Sequence, residues 1–170
     1  VGTLAPVNVG TTAGTGMIGP ARHFVSGQGI NCGTSITTLP TGANSNSSAV
    51  WFRADGANST LVGWGIEQGQ GKVVMQLVSP PHIRMDCYFS GADVTGGSTL
   101  AQSQWYHVVH TYKNGEARLY VNGVQDGITT GGTALNIPTP SRMYIGGWWG
   151  SYNFAGDVDE VRISKVTRSA

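Results

Sequence analysis

The sequence predicts an all-β protein built as a two-sheet sandwich, and three observations carry that expectation. Apolar residues come in short alternating or continuous runs broken by Gly, Pro, Asn and Ser, which is strand patterning. No segment shows the apolar period of about 3.6 residues that an amphipathic helix requires. Finally, 26 glycines are scattered without the three-residue period of collagen, while charged residues make up only 11% of the 170, a composition suited to a turn-rich β protein.

Taken in order, strands are expected near 21–26 (ARHFVS), 29–38 (GINCGTSITT), 49–54 (AVWFRA), 60–66 (TLVGWGI) and 72–78 (KVVMQLV). They continue near 82–89 (HIRMDCYF), 105–112 (WYHVVHTY), 117–121 (ARLYV), 124–128 (VQDGI), 142–147 (RMYIGG) and 155–165 (AGDVDEVRISK). Many short strands at such spacing imply a sandwich or a barrel. Asn114-Gly115 and Asn122-Gly123 each stand between β-forming runs and supply the positive-φ pairs of tight hairpins, so 105–128 reads as a three-stranded meander. Loops are expected at 40–48, at Ser79-Pro80-Pro81, at 90–104 and at 129–141, where Gly131, Gly132, Pro138 and Pro140 interrupt pairing.

A chain of this length forms one domain, expected to span 1–170. Its formal charge of +1 offers no basic stripe for phosphates, so nucleic acid is not an expected partner. No apolar run approaches the roughly 20 residues of a membrane helix, and no charged-then-apolar leader is seen, so the chain is expected to be a soluble module. Cys32 and Cys87 lie too far apart for a zinc ribbon or a redox motif. They are either joined between strands or packed as two separate thiols in neighbouring strands. The sequons at Asn46 and Asn58 carry little weight in a chain so rich in Ser and Asn.

The run WYHVVHTYKNGEARLYVNGVQDG, followed by MYIGGWWGSYNFAGDVDEVRISKVTRSA, resembles the LamG-like domains of concanavalin A type. The resemblance rests on Trp105, His107, Val108, Thr111, Tyr112, Leu119, Tyr120, Val121 and Gly123. It continues through Ile145, Gly146, Phe154, Gly156, Asp159, Glu160, Val161, Arg162 and Ile163. It implies a jelly-roll sandwich of two curved antiparallel sheets, a fold used by lectins, carbohydrate-binding modules and adhesive proteins, and by some glycosidases and lyases. Fold alone does not choose among these. Relatives often open with an Asp-x-Ser-Gly-Asn-Gly loop that helps hold calcium, and VGTLAPVNVG has no counterpart to it.

The acids argue against hydrolysis. A retaining glycosidase needs two carboxyl groups about 5–5.5 Å apart on one cleft face. Strand alternation in GDVDEVRI puts Asp157 and Asp159 on one face, followed there by Val161 and Ile163 rather than a third acid. Glu67 and Glu116 stand alone. Asp157 and Asp159 could instead contribute oxygens to a structural calcium ion, although six to eight are wanted. The competing expectation is that Asp159 and Glu160 take backbone hydrogens or pair with Arg162.

The aromatics point to sugar. Sugar rings present apolar C–H faces, so carbohydrate sites combine flat aromatics with a few orienting polar groups. Trp148 and Trp149 lie after Gly146-Gly147 and before Gly150-Ser151, in a loop that is usually small and polar in relatives, and with Tyr152 they are expected to form a platform at the sandwich rim. Trp64 could face either way and joins the candidate set, while Trp51 and Trp105 are expected in the core. His82, Arg84, Asp86 and Tyr88 alternate onto one face, opposite Ile83, Met85, Cys87 and Phe89. On that face Arg84 could fork to the carboxylate or sulfate of an acidic sugar.

The expected function is therefore non-catalytic binding of a polysaccharide, acidic or sulfated forms included, by one module of a larger secreted or cell-surface protein with further domains. An adhesion or structural domain that binds protein is the rival expectation. A polysaccharide lyase or hydrolase is the third.

Overall fold

The computed structural model describes residues 4–168. In chain order its strands are β1 (Val7–Val9), β2 (Thr12–Thr15), β3 (Pro20–Phe24), β4 (Gly29–Ile36), β5 (Asn46–Ala54), β6 (Ser59–Gly65), β7 (Lys72–Val78) and β8 (His82–Asp86). They continue as β9 (Val94–Thr95), β10 (Trp105–Lys113), β11 (Glu116–Val121), β12 (Val124–Thr130), β13 (Ser141–Ile145), β14 (Gly147–Trp148), β15 (Ser151–Tyr152) and β16 (Gly156–Ser164). All but the β14–β15 hairpin belong to two seven-stranded antiparallel sheets, the jelly-roll sandwich expected of the sequence. The first sheet runs β1-β4-β13-β6-β7-β8-β9 and the second β12-β11-β10-β5-β16-β3-β2.

Alternation builds the core. Val50 and Phe52 of β5, Val108 of β10, Leu119 of β11 and Val158 of β16 point inward from the second sheet. They share one cluster with Val62 and Trp64 of β6, Val73, Met75 and Leu77 of β7, and Ile83 and Met85 of β8. Burying each of the larger side chains contributes about 1.5–3 kcal/mol. Both Asn-Gly turns form, with φ of 52° and 77° at Asn114-Gly115 and 51° and 82° at Asn122-Gly123. That pair of signs is what a tight hairpin with right-handed strand twist demands.

Three local expectations are corrected. Strand β5 starts at Asn46, inside the expected loop, because its backbone pairs with β10 from Asn46↔Tyr112 onward regardless of the polar side chains. Strand β8 stops at Asp86, since Tyr88 and Phe89 adopt φ of 55° and 62° and leave the ladder; Phe89, expected inside, is 75% exposed. Cys32 on β4 and Cys87 after β8 are both buried free thiols, but not in neighbouring strands. With β13, β6 and β7 between their strands, they sit roughly 19 Å apart at about 4.8 Å per strand. A disulfide needs Cα atoms within about 7 Å.

Candidate functional site

The β14–β15 hairpin folds back over the outer face of the first sheet, and glycines make the room. A Cβ on Gly63 of β6 would lie 2.8 Å from the Trp148 ring, and one on Gly29 of β4 would lie 1.7 Å from the ring of Tyr152. Tyr144 of β13 stands between them, edge-on to Trp148 (5.9 Å between centroids) and to Tyr152 (6.3 Å). Trp148 is half-buried in this arrangement and Trp149 is 43% exposed.

The hairpin turn is unusual. Trp149 and Gly150 occupy its two central positions with φ of 56° and 83°, a geometry normally given to Asn, Asp or Gly. A bulky side chain in left-handed backbone costs on the order of 1–2 kcal/mol. What holds it is Arg142, whose guanidinium carbon lies 3.7 Å from the Trp149 ring centroid, a contact that contributes about 0.5–1 kcal/mol at an exposed site. The turn thus carries strain that presents an indole to solvent.

Beside Trp148 lies a charge cluster around one buried ammonium. Lys72 Nζ, in a residue only 5% exposed, donates to Glu67 Oε1 at 2.9 Å and meets Asp86 Oδ2 at 3.0 Å. Burial by itself lowers the pKa of this ammonium, but its bonds to Glu67 and Asp86 outweigh that and the net shift is upward. The indole N–H of Trp148 donates to Glu67 Oε2. Lys72 Nζ also lies 4.8 Å from the Tyr88 ring centroid and 5.8 Å from that of Trp148, so one cation bridges two aromatics. Tyr88 is tilted against Phe89 at 4.9 Å. Phe89, Tyr88, Lys72, Trp148 and Trp149 therefore form a strip along the face, with Tyr144 and Tyr152 beneath its hairpin end.

The expected site residues divide accordingly. Trp148, Trp149, Tyr152 and Tyr88 come together. Arg84 shares the face two residues along β8 from Asp86, roughly 7 Å away, flanked by Gln76 of β7 and Thr95 of β9. His82 lies farther out, its Nδ1 facing the Ser98 carbonyl at 2.9 Å. Trp64 is corrected: it is fully buried on the inner face, opposite Met143 and Val73, and cannot reach a ligand. Trp51 and Trp105 are corrected in the other direction, since both point outward from the second sheet and are half-exposed. Phe89, Lys72 and Glu67 carried no sequence signal, being separated from the tryptophan pair by a third to a half of the chain.

Asp157 and Asp159 do not fit a calcium site. Asp157 Oδ2 accepts from both Nε and Nη2 of Arg53, and Oδ1 lies 2.9 Å from His23 Nδ1. Asp159 Oδ2 accepts the Ile18 N–H at 2.9 Å, and Glu160 pairs with Arg162. A guanidinium already occupies the place a cation would take. Among the described residues no group of three or more His, Cys, Asp or Glu side chains is placed to hold a metal.

Two seven-stranded antiparallel sheets packed in this way define a sandwich of the concanavalin A type. The chain belongs to the concanavalin A-like lectin/glucanases superfamily, whose family model matches residues 26–170. No curated protein sequence matches it. Among solved structures it is similar to domain 4 of AbnA, an extracellular arabinanase from Geobacillus stearothermophilus, in complex with arabinotriose. The TM-score is 0.72 and the identity 20%, over 96% of this chain and 84% of that one. It is also similar to the CBM40 domain of the IT-sialidase of Ruminococcus gnavus, bound to α2,3-sialyllactose, with a TM-score of 0.67 and 12% identity over 88% of this chain and 91% of that one. The sialidase of Trypanosoma rangeli matches with a TM-score of 0.62 and 19% identity, over 92% of this chain but only 26% of that much longer one. At these identities the shared feature is the fold.

Proposed function

We propose that this chain is a non-catalytic carbohydrate-binding module of a larger secreted protein, and that the strip of Trp149, Trp148, Tyr88 and Phe89 is where it holds a polysaccharide. The observation that carries the reading is Trp149: a strained turn position given to an indole that is left in solvent. Exposed aromatic surface of this kind stacks on the C–H face of a sugar ring. Arg84 makes no ion pair among the described residues, so its guanidinium is available to a carboxylate or sulfate of an acidic polymer.

The acids near the strip favour binding over cleavage. Glu67 is taken up by Trp148 and Lys72, and Asp86 by Lys72 and the backbone N–H of Tyr88. Neither is left to protonate a glycosidic oxygen, as a hydrolase would require. The arabinanase and sialidase domains that share the fold, in complex with arabinotriose and bound to α2,3-sialyllactose, support a sugar ligand, and the extracellular arabinanase supports an extracellular setting.

Affinity electrophoresis through gels containing neutral, uronic-acid and sulfated plant or algal polysaccharides tests the reading. Retardation by at least one polymer, lost in Trp148→Ala/Trp149→Ala, is expected. No retardation by any polymer would favour the adhesion alternative, and new reducing ends or unsaturated products would show an enzyme.

A further inference from the structure

The outer face of the second sheet carries aromatics that the strip does not use. Trp105 and His107 of β10 and Trp51 and Arg53 of β5 alternate outward, with Trp105 opposite Arg53 and His107 opposite Trp51. Trp51 and His107 stack at 5.0 Å with their planes 29° apart. Two depressions lie along this face, one at Trp51 and one at Arg53, two residues apart on β5. One, of about 320 Å³, is walled by Trp51, His107, Glu160 and Arg162 over a floor of Ala49 and Val109. The other, of about 420 Å³, is bounded by Trp105, Arg53, His23 and Asp157.

The backbone is bent beside the first depression. Between Asp159↔Trp51 and Arg162↔Ala49 the register of β16 on β5 shifts, and Glu160 takes φ of 49°. Such a bulge re-aims a side chain, and a non-glycine residue held in left-handed backbone is a strain found most often at sites that use it. Here it brings the Glu160 carboxylate to the wall of the groove.

Charge selects the ligand. Asp157 is neutralised by Arg53, Glu160 by Arg162, and Asp159 is bonded by the Ile18 N–H. The pKa of His107 is lowered by burial and by Arg162, so its ring is uncharged at neutral pH. Arg168 also lines the first depression, its Nε donating to Ser164 Oγ, and its charge offsets that of Asp159. What remains is an aromatic, polar and nearly neutral groove, which has flat surfaces for C–H faces and paired ions whose free lone pairs and N–H groups suit hydroxyls.

We propose that this face is a second glycan site, separate from the strip, which takes a neutral oligosaccharide running across β10, β5 and β16 over Trp105, Trp51 and His107. The first depression alone lies at the small end of the 300–1,000 Å³ typical of ligand sites, and the two together suit a chain of sugars better than a single ring. A module with two glycan faces of different charge preference would bridge polymers.

The Trp148→Ala/Trp149→Ala protein isolates this face, because only Trp51, Trp64 and Trp105 then give indole N–H signals in a nitrogen-15 spectrum. It is titrated with cellohexaose, xylohexaose, arabinohexaose and hexagalacturonate up to roughly 10 mM, the weak end of specific affinities. At least one neutral oligosaccharide is expected to move the Trp51 and Trp105 signals while buried Trp64 stays still. Ala49→Glu, which fills the groove floor with a charged chain, is expected to weaken that response about tenfold or more. Should Ala49→Glu fail to fold, the signals of the parent decide alone. The proposal is overturned if no neutral oligosaccharide moves the two signals, if only hexagalacturonate does, or if a folded Ala49→Glu responds as the parent does. Movement of Trp148 and Trp149 in the unsubstituted protein reports the strip independently, so either site can fail without the other.

Discussion

The indole of Trp148 and the ammonium of Lys72 donate to opposite oxygens of the same Glu67 carboxylate, so the β14–β15 hairpin is tied to the loop after β6 by a single side chain. Glu67→Ala leaves Lys72 with Asp86 alone and releases the indole. Since the Glu67 side chain is 36% exposed, solvent screening holds the stability loss to about 1 kcal/mol. Polysaccharide retention is expected to fall more steeply than the urea midpoint, because the indole loses its anchor while the core is untouched.

The hairpin rests on two glycines. A methyl group at Gly29 would enter the Tyr152 ring, and one at Gly63 would press on both Trp148 and Val74. Either substitution to Ala is expected to cost about 1–3 kcal/mol as overpacking does. Each should also shift the indole signals of Trp148 and Trp149 and reduce retention. Unchanged indole signals in Gly29→Ala would contradict the placement of the hairpin over β4.

His110 gives the fold a pH dependence. It is fully buried, neither ring nitrogen has a partner among the described residues, and burial pushes its pKa from 6.5 down to about 4. Above pH 6.5 both the folded and unfolded chains hold it neutral. As pH falls from 6.5 toward 4 the unfolded chain takes up a proton that the folded one refuses, so stability drops through that window by on the order of 3 kcal/mol. His110→Leu is expected to flatten the urea midpoint between those pH values. A profile as steep as that of the parent would place the effect elsewhere.

Arg53 takes up the Asp157 carboxylate that the sequence could have offered to a structural calcium ion. Neither calcium nor a chelator should move the thermal midpoint. Asp157→Asn should lower stability by about 1–3 kcal/mol, through the pairing lost to Arg53 and His23. A rise in midpoint on adding calcium would contradict that account.

Strands were legible wherever side chains alternate, because that alternation is itself the record of one buried face. Asn114-Gly115 and Asn122-Gly123 were legible because few other residues accept their backbone. By contrast β1, β2, β9 and the β14–β15 pair are too short to carry a period, and Asn46 to Ser48 pair through backbone atoms that side-chain chemistry does not reveal. The rim tryptophans stood out as an adjacent pair between glycines. Their neighbours Lys72, Glu67 and Phe89 did not, since only the fold brings them there. Trp51 and Trp105 read as core because apolar residues surround them in sequence. Yet in a strand each immediate neighbour faces the opposite way, and it was Val50 and Phe52 that went inside.

The sharpest test replaces Trp149 with the residue its turn prefers. Trp149→Asn relieves about 1–2 kcal/mol of left-handed strain and forfeits about 0.5–1 kcal/mol of contact with Arg142. Stability should therefore hold or rise slightly, while calorimetric binding of a polysaccharide that the parent retains should be lost or weakened at least about tenfold. Full binding in a stable Trp149→Asn protein, or a large loss of stability that accounts for lost binding, would contradict the claim that this indole is there for a ligand.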